Sequence, residues 1–273
     1  MADKGRRLAD WPVQPFRDCS GQLERLHNLL NLSITGISIF TVMPNALEAL
    51  LRYEEALGKF EEEGYRETAD QKVARVKVQA ELAQREVSEG FPLLYAQYTI
   101  AIWSTLEATI RLFVARWLQN SEGAFDVEDV QKLRVKIGEY ARLEGEERFF
   151  YIVDKLEQEL SAPQKSGVNR FESLLGPFGL SGPIPDGVRR DLFELNQVRN
   201  VLVHRSGIVD RKFTEACPNL QVKPGQLVAV DRHAAIRYTN AVQWYIGELI
   251  IRIAKAQGVD IRESTQRYIE LSP

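Results

Sequence analysis

The chain has 273 residues, 44% of them hydrophobic, which is enough material for one large folded domain or two small ones. Its formal net charge is −3 at pH 7, and this excludes the strongly basic surface of a protein that coats nucleic acid. The two cysteines, Cys19 and Cys217, lie far apart in the sequence, so a disulfide framework and a cysteine zinc site are both excluded.

Residues 1–90 are predicted to form an N-terminal helical extension. The apolar segment 32–43 is interrupted by serine, threonine and glycine and is shorter than the roughly 20 residues of a membrane span. We therefore expect this segment to be buried, and we expect no membrane partner. Apolar residues recur at helical spacing over 47–60, and a long helix rich in charged residues and alanine is predicted over 67–89.

The central part of the chain predicts a helical bundle. Residues 93–118 are apolar on several faces, which is typical of a helix at the centre of a bundle. Further helices are predicted over 127–143, 146–160 and 170–175, and another begins near Val188. The fold class that these patterns indicate is all-α.

The C-terminal part contains a turn and a long final helix. A proline followed by a glycine at 224–225 favours a type II turn between two short apolar runs, so a small β-hairpin is predicted near 220–230. Asp231 is placed to cap the last helix, which ends at Gly258. Residues 91–258 are thus expected to be one helical domain, and 259–273 a tail.

Three chemically capable side chains lie near the end of the helix that begins at Val188. They are Arg199, Asn200 and His204, and Gly207 is expected to end the helix after them. An arginine followed directly by asparagine and then by histidine at this spacing is expected on the order of 0.01 times by chance in such a chain. Helical geometry places Arg199 on the apolar stripe of the helix, where an unpaired charge is costly. The guanidinium therefore needs an acidic partner, a route to solvent or a cleft at an interface.

A purely structural interpretation explains the same residues. Arg199 can pair with a carboxylate such as Glu107 across the bundle, and His204 can cap the end of its helix, where the backbone dipole favours a cation. Glu107 lies in the aromatic central helix and is more typical of a solvated face than of a catalytic group. Geometry alone does not choose between this interpretation and a ligand-binding cleft.

The run Arg199-Asn200-x3-His204, at the end of a helix in an all-helical domain, resembles the HEPN superfamily (higher eukaryote and prokaryote nucleotide-binding). The continuation SGIVDRKF, the later ACPNL, a Pro-Gly turn and a long final helix are similar to stand-alone bacterial HEPN proteins. The resemblance covers about 91–258, and the Arg-x4-His motif is its specific part. It implies a compact helical bundle that forms a homodimer and acts as a metal-independent endoribonuclease, often as a toxin or antiphage-defence effector.

The resemblance also implies roles for single residues. His204 would act as general base on the ribose 2′-hydroxyl or as acid toward the leaving oxygen, because an imidazole titrates near neutral pH. Arg199 would hold the scissile phosphate, and Asn200 would orient the histidine or the phosphate. Arg205 and Arg190 are the candidate substrate-binding residues, and RNA is the expected substrate.

One position departs from the family pattern. Some toxins of the family carry a tyrosine two residues after the histidine, where a partner nucleotidyltransferase modifies it, and this chain has Ser206 there. Control by that route is therefore in doubt, although an antitoxin or another regulatory protein remains an expected partner.

Alternative functions remain open at this point. A non-catalytic HEPN-type module would bind RNA, nucleotide or a partner protein without cleavage, and a purely structural helical adaptor would do neither. The sequence contains no Walker-type phosphate loop and no GxGxxG, HExxH or GxSxG motif, so no cofactor and no metal are expected. His27 and His233 stand alone and are interpreted as surface or packing residues. The expected location is the cytoplasm.

Overall fold

The computed structural model describes residues 9–61, 64–162, 165–259 and 261. Within these ranges the fold is all-α, and the prediction of an all-helical fold class is confirmed. The α-helices in chain order are α1 (Gln14–Phe40), α2 (Met43–Ala56), α3 (Tyr65–Glu89), α4 (Pro92–Asn120), α5 (Glu128–Gln131), α6 (Ile137–Tyr140), α7 (Glu146–Glu159), α8 (Val168–Leu175), α9 (Asp186–His204), α10 (Arg211–Ala216) and α11 (Arg232–Ala256).

Helix α4 is the centre of the bundle, as the sequence predicts. Pro92 occupies its first turn, where the missing backbone N–H costs nothing. The side chains of Ile102, Trp103, Leu106 and Ile110 are completely buried. Helices α1, α7, α9 and α11 all pack against α4. A helix that is apolar on several sides is stable only in such surroundings, which explains why its buried residues do not form one narrow stripe.

Helix α11 closes the bundle beside α9 and α4. Its N-terminal cap is Asp231, whose Oδ1 accepts a hydrogen bond from the backbone N–H of Ala234 at 2.7 Å, as predicted. The chain leaves the helix at Ala256, and Gly258 follows with a φ of +75°. Residues 260 and 262–273, most of the predicted tail, lie outside the described residues.

The single helix predicted over 127–143 is wrong. The structure has two short helices there, α5 and α6, separated by residues that include an extended Lys136. The backbone N–H of Lys136 donates to the Tyr151 hydroxyl, and Leu133 and Val135 pack against the core. Tertiary packing therefore overrides the local helical pattern.

The hairpin predicted near 220–230 is also wrong in its pairing, although its turn is present. Leu220 ends a short 3₁₀ helix, and the backbone of 225–228 pairs instead with the chain after α9. Val209 N–H donates to Gln226 O at 2.9 Å, and Val228 N–H donates to Gly207 O at 2.8 Å. Gly225 has a φ of +86°, as the third residue of a type II turn requires.

The N-terminal helices divide into a core part and an exposed part. The first half of α1 contributes Phe16, Cys19 and Leu23 to the same core as α4. Helix α1 also contacts α3 and α2. The expectation that 32–43 is buried is wrong, since Leu32 is 70% exposed and Ile39 is 54% exposed. The helices beside it bury little, because α2 has no buried residue and those of α3 are alanines, so part of the apolar surface of α1 stays uncovered.

Within the described residues no single helix is long and apolar enough to cross a membrane. Helices α1 and α2, which meet at a bend of 49°, have this length and apolar composition only when they are taken together.

Candidate functional site

Helix α9 carries the motif and is fixed firmly in the bundle. Its inner face buries Leu192, Leu195 and Val198 against the core. Asn196 links α9 to the start of α8, because its Oδ1 accepts a hydrogen bond from the backbone N–H of Gly167, the residue just before α8, at 3.2 Å. The motif side chains therefore project from a rigid support rather than from a loop.

A buried carboxylate ties α9 to α11. Glu194 is 3% exposed, and its Oε1 accepts hydrogen bonds from the Tyr238 hydroxyl and from Arg237 Nη2, both at 2.7 Å. Arg237 Nη1 also donates to Asp191 at 2.6 Å, so one guanidinium bridges two turns of α9. Burial and the neighbouring Glu194 carboxylate raise the pKa of Tyr238, which keeps its hydroxyl as a donor.

Arg199 lies in an open groove of about 580 Å³ between α4, α7 and α9. The groove is lined by side chains of mixed polarity from these helices, namely Ser104, Glu107, Ala108, Arg111, Leu112, Phe150 and Arg199. The Arg199 side chain is 23% exposed, so a ligand in the groove can reach part of it. It is neither sealed in the core nor free on the surface.

The hydrogen bonds of the Arg199 guanidinium are incomplete. Its Nη1 donates to Oδ1 of the adjacent Asn200 at 3.2 Å, and its Nη2 lies 3.9 Å from Glu107 Oε2. Its Nε is buried and has no hydrogen-bond partner among the described residues. The pairing with Glu107 that the structural interpretation predicts is therefore present, but it is long and leaves a buried donor unsatisfied, which is costly.

Glu107 belongs to a chain of alternating charges. Arg170 Nη1 donates to Glu107 Oε1 at 2.5 Å, and Arg170 Nη2 donates to Glu157 at 3.3 Å. The buried Glu157 also accepts from Arg111 Nη1 at 2.7 Å. Sequence reasoning missed Arg170 and Glu157, because their helices are distant in the sequence and only the fold brings them to α4.

His204 is the last residue of α9 and is exposed. Five residues of α-helix separate it from Arg199, which corresponds to a rotation of about 140° and a rise of about 7.5 Å. His204 does not line the groove that holds Arg199. Asn200 lies between them, since it contacts Arg199 and sits one helical turn before His204. A single chain thus presents the guanidinium and the imidazole on different sides of one helix.

The chain after His204 is held in a defined conformation. Ser206 and Gly207 have φ values of +51° and +82°, so the helix stops here as predicted. Arg205 Nη1 pairs with Asp210 at 2.8 Å, and Asp210 Oδ1 in turn caps α10 by accepting from Phe213 N–H at 2.8 Å. Arg205 is therefore close to His204 in the chain but already has a carboxylate partner.

Apolar side chains are exposed beside His204. Val203 is 45% exposed, Ile208 is 48% exposed and Leu227 is 67% exposed. Ile208 and Leu227 face each other across the short backbone pairing described above. We call Val203, Ile208 and Leu227 the apolar patch. Large apolar side chains grouped on a surface are typical of contact with a protein partner.

Arg190, the other predicted substrate-binding residue, is exposed near the start of α9. Nine residues separate it from Arg199, which places it about half a turn away around the helix and about 13.5 Å along the axis. The structure does not bring Arg190 and Arg199 into one groove.

Among the described residues, no group of three or more histidine, cysteine, aspartate or glutamate side chains is arranged to hold a metal ion. No family model matches the chain, and neither a curated protein nor a solved structure is significantly similar to it.

Proposed function

We propose that this chain is a metal-independent endoribonuclease of the HEPN type that acts in the cytoplasm as a toxin or antiphage-defence effector. The observation that carries the proposal is that the rigid helix α9 bears both an incompletely satisfied guanidinium, Arg199, and an exposed imidazole, His204. Asn200 lies between the two in the sequence; it accepts a hydrogen bond from Arg199 and precedes His204 by one helical turn.

The proposed reaction uses the ribose itself as nucleophile. His204 removes the proton from the 2′-hydroxyl, the 2′-oxygen forms a bond to phosphorus, and the bond from phosphorus to the 5′-oxygen breaks. The leaving 5′-oxygen takes up a proton from the solvent, into which His204 releases the proton that it removed, and the 3′ end of the other fragment carries a 2′,3′-cyclic phosphate. Arg199 stabilises the negative charge that develops on the phosphate, using donors that its own subunit leaves weakly bonded.

A homodimer would bring the two groups together. In one chain Arg199 and His204 point about 140° apart around the helix axis. The arginine of one copy and the histidine of another therefore contact one phosphate more easily than the two residues of a single copy. The apolar patch of Val203, Ile208 and Leu227 lies beside His204 and offers a contact surface for the second copy. The dimer remains a proposal that the solution mass of the protein tests.

Other partners follow from the charges around the motif. Arg205 and Arg190 would contact RNA phosphates outside the groove, with Arg205 exchanging Asp210 for a phosphate. An antitoxin or other regulatory protein is a proposed partner, and the exposed apolar side chains of α1 and α2 are candidates for its contact surface.

The first test incubates the purified protein with total RNA in EDTA, beside Arg199→Ala and His204→Ala. We expect the wild type to cleave and each variant to lose activity by at least about 100-fold, because one removes the phosphate clamp and the other the proton carrier. His233→Ala is the matched control, since His233 is exposed at the start of α11. Cleavage by His204→Ala at the wild-type rate would refute the proposal.

A mixing experiment tests the composite site. Arg199→Ala and His204→Ala subunits, each inactive alone, are denatured together and refolded. If each site takes its arginine and its histidine from different copies, a mixed dimer retains one complete site and activity returns. If both residues of a site come from one chain, the mixture stays as inactive as its components.

A second candidate function is a non-catalytic module that binds RNA, nucleotide or a protein. It is favoured by the contact of Arg199 with Glu107 in its own subunit and by the position of His204 outside that groove. This alternative predicts that RNA binds in EDTA without cleavage and that expression of the wild type does not harm the host cell.

A further inference from the structure

We propose that Glu107, anchored by Arg170, is a positioning residue that fixes the Arg199 guanidinium for phosphate binding. This inference rests on the proposed function for its catalytic consequence. It concerns three residues on three helices, because Glu107 belongs to α4, Arg170 to α8 and Arg199 to α9.

The two carboxylate oxygens of Glu107 contact different arginines, and the two contacts differ in length. Oε1 accepts the short 2.5 Å hydrogen bond from Arg170, whereas Oε2 lies 3.9 Å from Arg199 Nη2. The short bond holds the carboxylate in place. The long contact orients the Arg199 guanidinium by charge without saturating its donors, so these donors stay available to an incoming phosphate.

The charge balance of the groove explains why this carboxylate matters. Arg111, Arg170 and Arg199 are opposed by Glu107, Glu157 and Asp154, and Glu107 is the one carboxylate of this set that contacts Arg199. If Glu107 is neutralised, Arg199 keeps only its 3.2 Å hydrogen bond to Asn200 and lies close to positively charged neighbours. The guanidinium then loses its fixed direction while the groove gains one positive charge.

This combination predicts a kinetic signature for Glu107→Gln. Misplacement of a charge-stabilising group lowers kcat, here by about 10- to 100-fold. The added positive charge attracts RNA, so KM stays the same or falls. A carboxylate that only stabilises the fold would instead lower the melting temperature and leave kcat per folded molecule unchanged.

Two comparison variants sharpen the test. Glu146→Gln removes a carboxylate from the first turn of α7, where its ion-pair partner is Arg116 and not one of the groove arginines, so kcat should remain at the wild-type value. Arg170→Gln removes the anchor of Glu107 and should reproduce the loss of kcat. Because both residues act through one contact, the double variant Glu107→Gln with Arg170→Gln should lose no more activity than Glu107→Gln alone.

A second readout does not depend on catalysis. The Nε–Hε group of Arg199 is buried, so its ¹⁵N relaxation in NMR reports how firmly the side chain is held, and the signal is assigned by its loss in Arg199→Lys. We expect an ordered side chain in the wild type and in Glu146→Gln, and a mobile one in Glu107→Gln. An ordered Arg199 together with wild-type kcat in Glu107→Gln would overturn the proposal.

The two proposals fail in different ways. If the wild type does not cleave RNA, the ribonuclease proposal fails, while mobilisation of Arg199 in Glu107→Gln would still establish the positioning contact. If His204→Ala is inactive but Glu107→Gln is fully active with an ordered Arg199, the positioning inference alone is wrong.

Discussion

Replacing Gly167 with alanine should destabilise the protein strongly, because this glycine lies directly against the backbone of α9. An added Cβ would lie 2.8 Å from the Cα of Phe193, closer than real Cβ contacts allow. Gly167 also has φ +60° and ψ −143°, a conformation that costs an L-residue about 1–3 kcal/mol. The collision is with helix backbone and cannot be relieved by a rotamer change, so a further cost of about 1–3 kcal/mol is expected.

The combined loss in the free energy of unfolding is then about 2–6 kcal/mol, which lowers the melting temperature by about 4–24 °C for a chain of this size. Thermal unfolding followed by circular dichroism measures it. Gly187→Ala is the matched control on α9 itself, because a Cβ there meets nothing within 4 Å, and this change should stabilise by up to about 1 kcal/mol. Equal melting temperatures for Gly167→Ala and the wild type would refute the packing described for α8 and α9.

Three further predictions concern the anchor of α9, the thiols and the apolar patch. Tyr238→Phe removes one of the donors to buried Glu194 and should cost about 1.5–3 kcal/mol in urea unfolding; an unchanged midpoint would contradict this. Burial raises the pKa of the Cys217 thiol to about 12 and also raises that of Cys19, so neither should react with DTNB at pH 8 until the protein unfolds, and rapid labelling of the native protein would be inconsistent with it. Leu227→Glu should convert a dimer into monomers in analytical ultracentrifugation, and a variant as dimeric as the wild type would exclude the patch from the interface.

The sequence predicted the bundle well where the signals lie within a single helix or directly beside it. The apolar faces of α4, the aspartate cap of α11 and the glycine stop after α9 are local signals, and the structure contains all three. The errors arise where contacts with residues distant in the sequence determine the local structure. Residues 225–228 pair with the chain after α9 rather than with 220–222, and no local pattern encodes that choice.

The candidate site was predictable in its residue types but not in its arrangement. The motif singled out Arg199, Asn200 and His204, and the structure places the first two in contact. His204 lies outside the groove because a step of five positions along a helix turns the side-chain direction by about 140° relative to Arg199. The motif gives the spacing of the residues in the sequence but not this difference in direction. Arg170 reaches Glu107 across 63 positions of sequence, so its part in the site required the fold.

The burial expected for 32–43 failed for a related reason. A segment that is apolar and carries no charge is buried only if other elements cover it, and α2 and α3 offer few large side chains to do so. The exposed surface of α1 is therefore a property of the tertiary arrangement and not of the segment itself.

Attack by the ribose 2′-hydroxyl is tested most directly with two oligonucleotides of one base sequence, one of ribose and one of deoxyribose, incubated with the protein in EDTA. We expect that the wild type cuts the ribose strand and leaves 2′,3′-cyclic phosphate ends, that the deoxyribose strand stays intact, and that His204→Ala cuts neither. Cleavage of the deoxyribose strand, or of the ribose strand by His204→Ala at the wild-type rate, would contradict it.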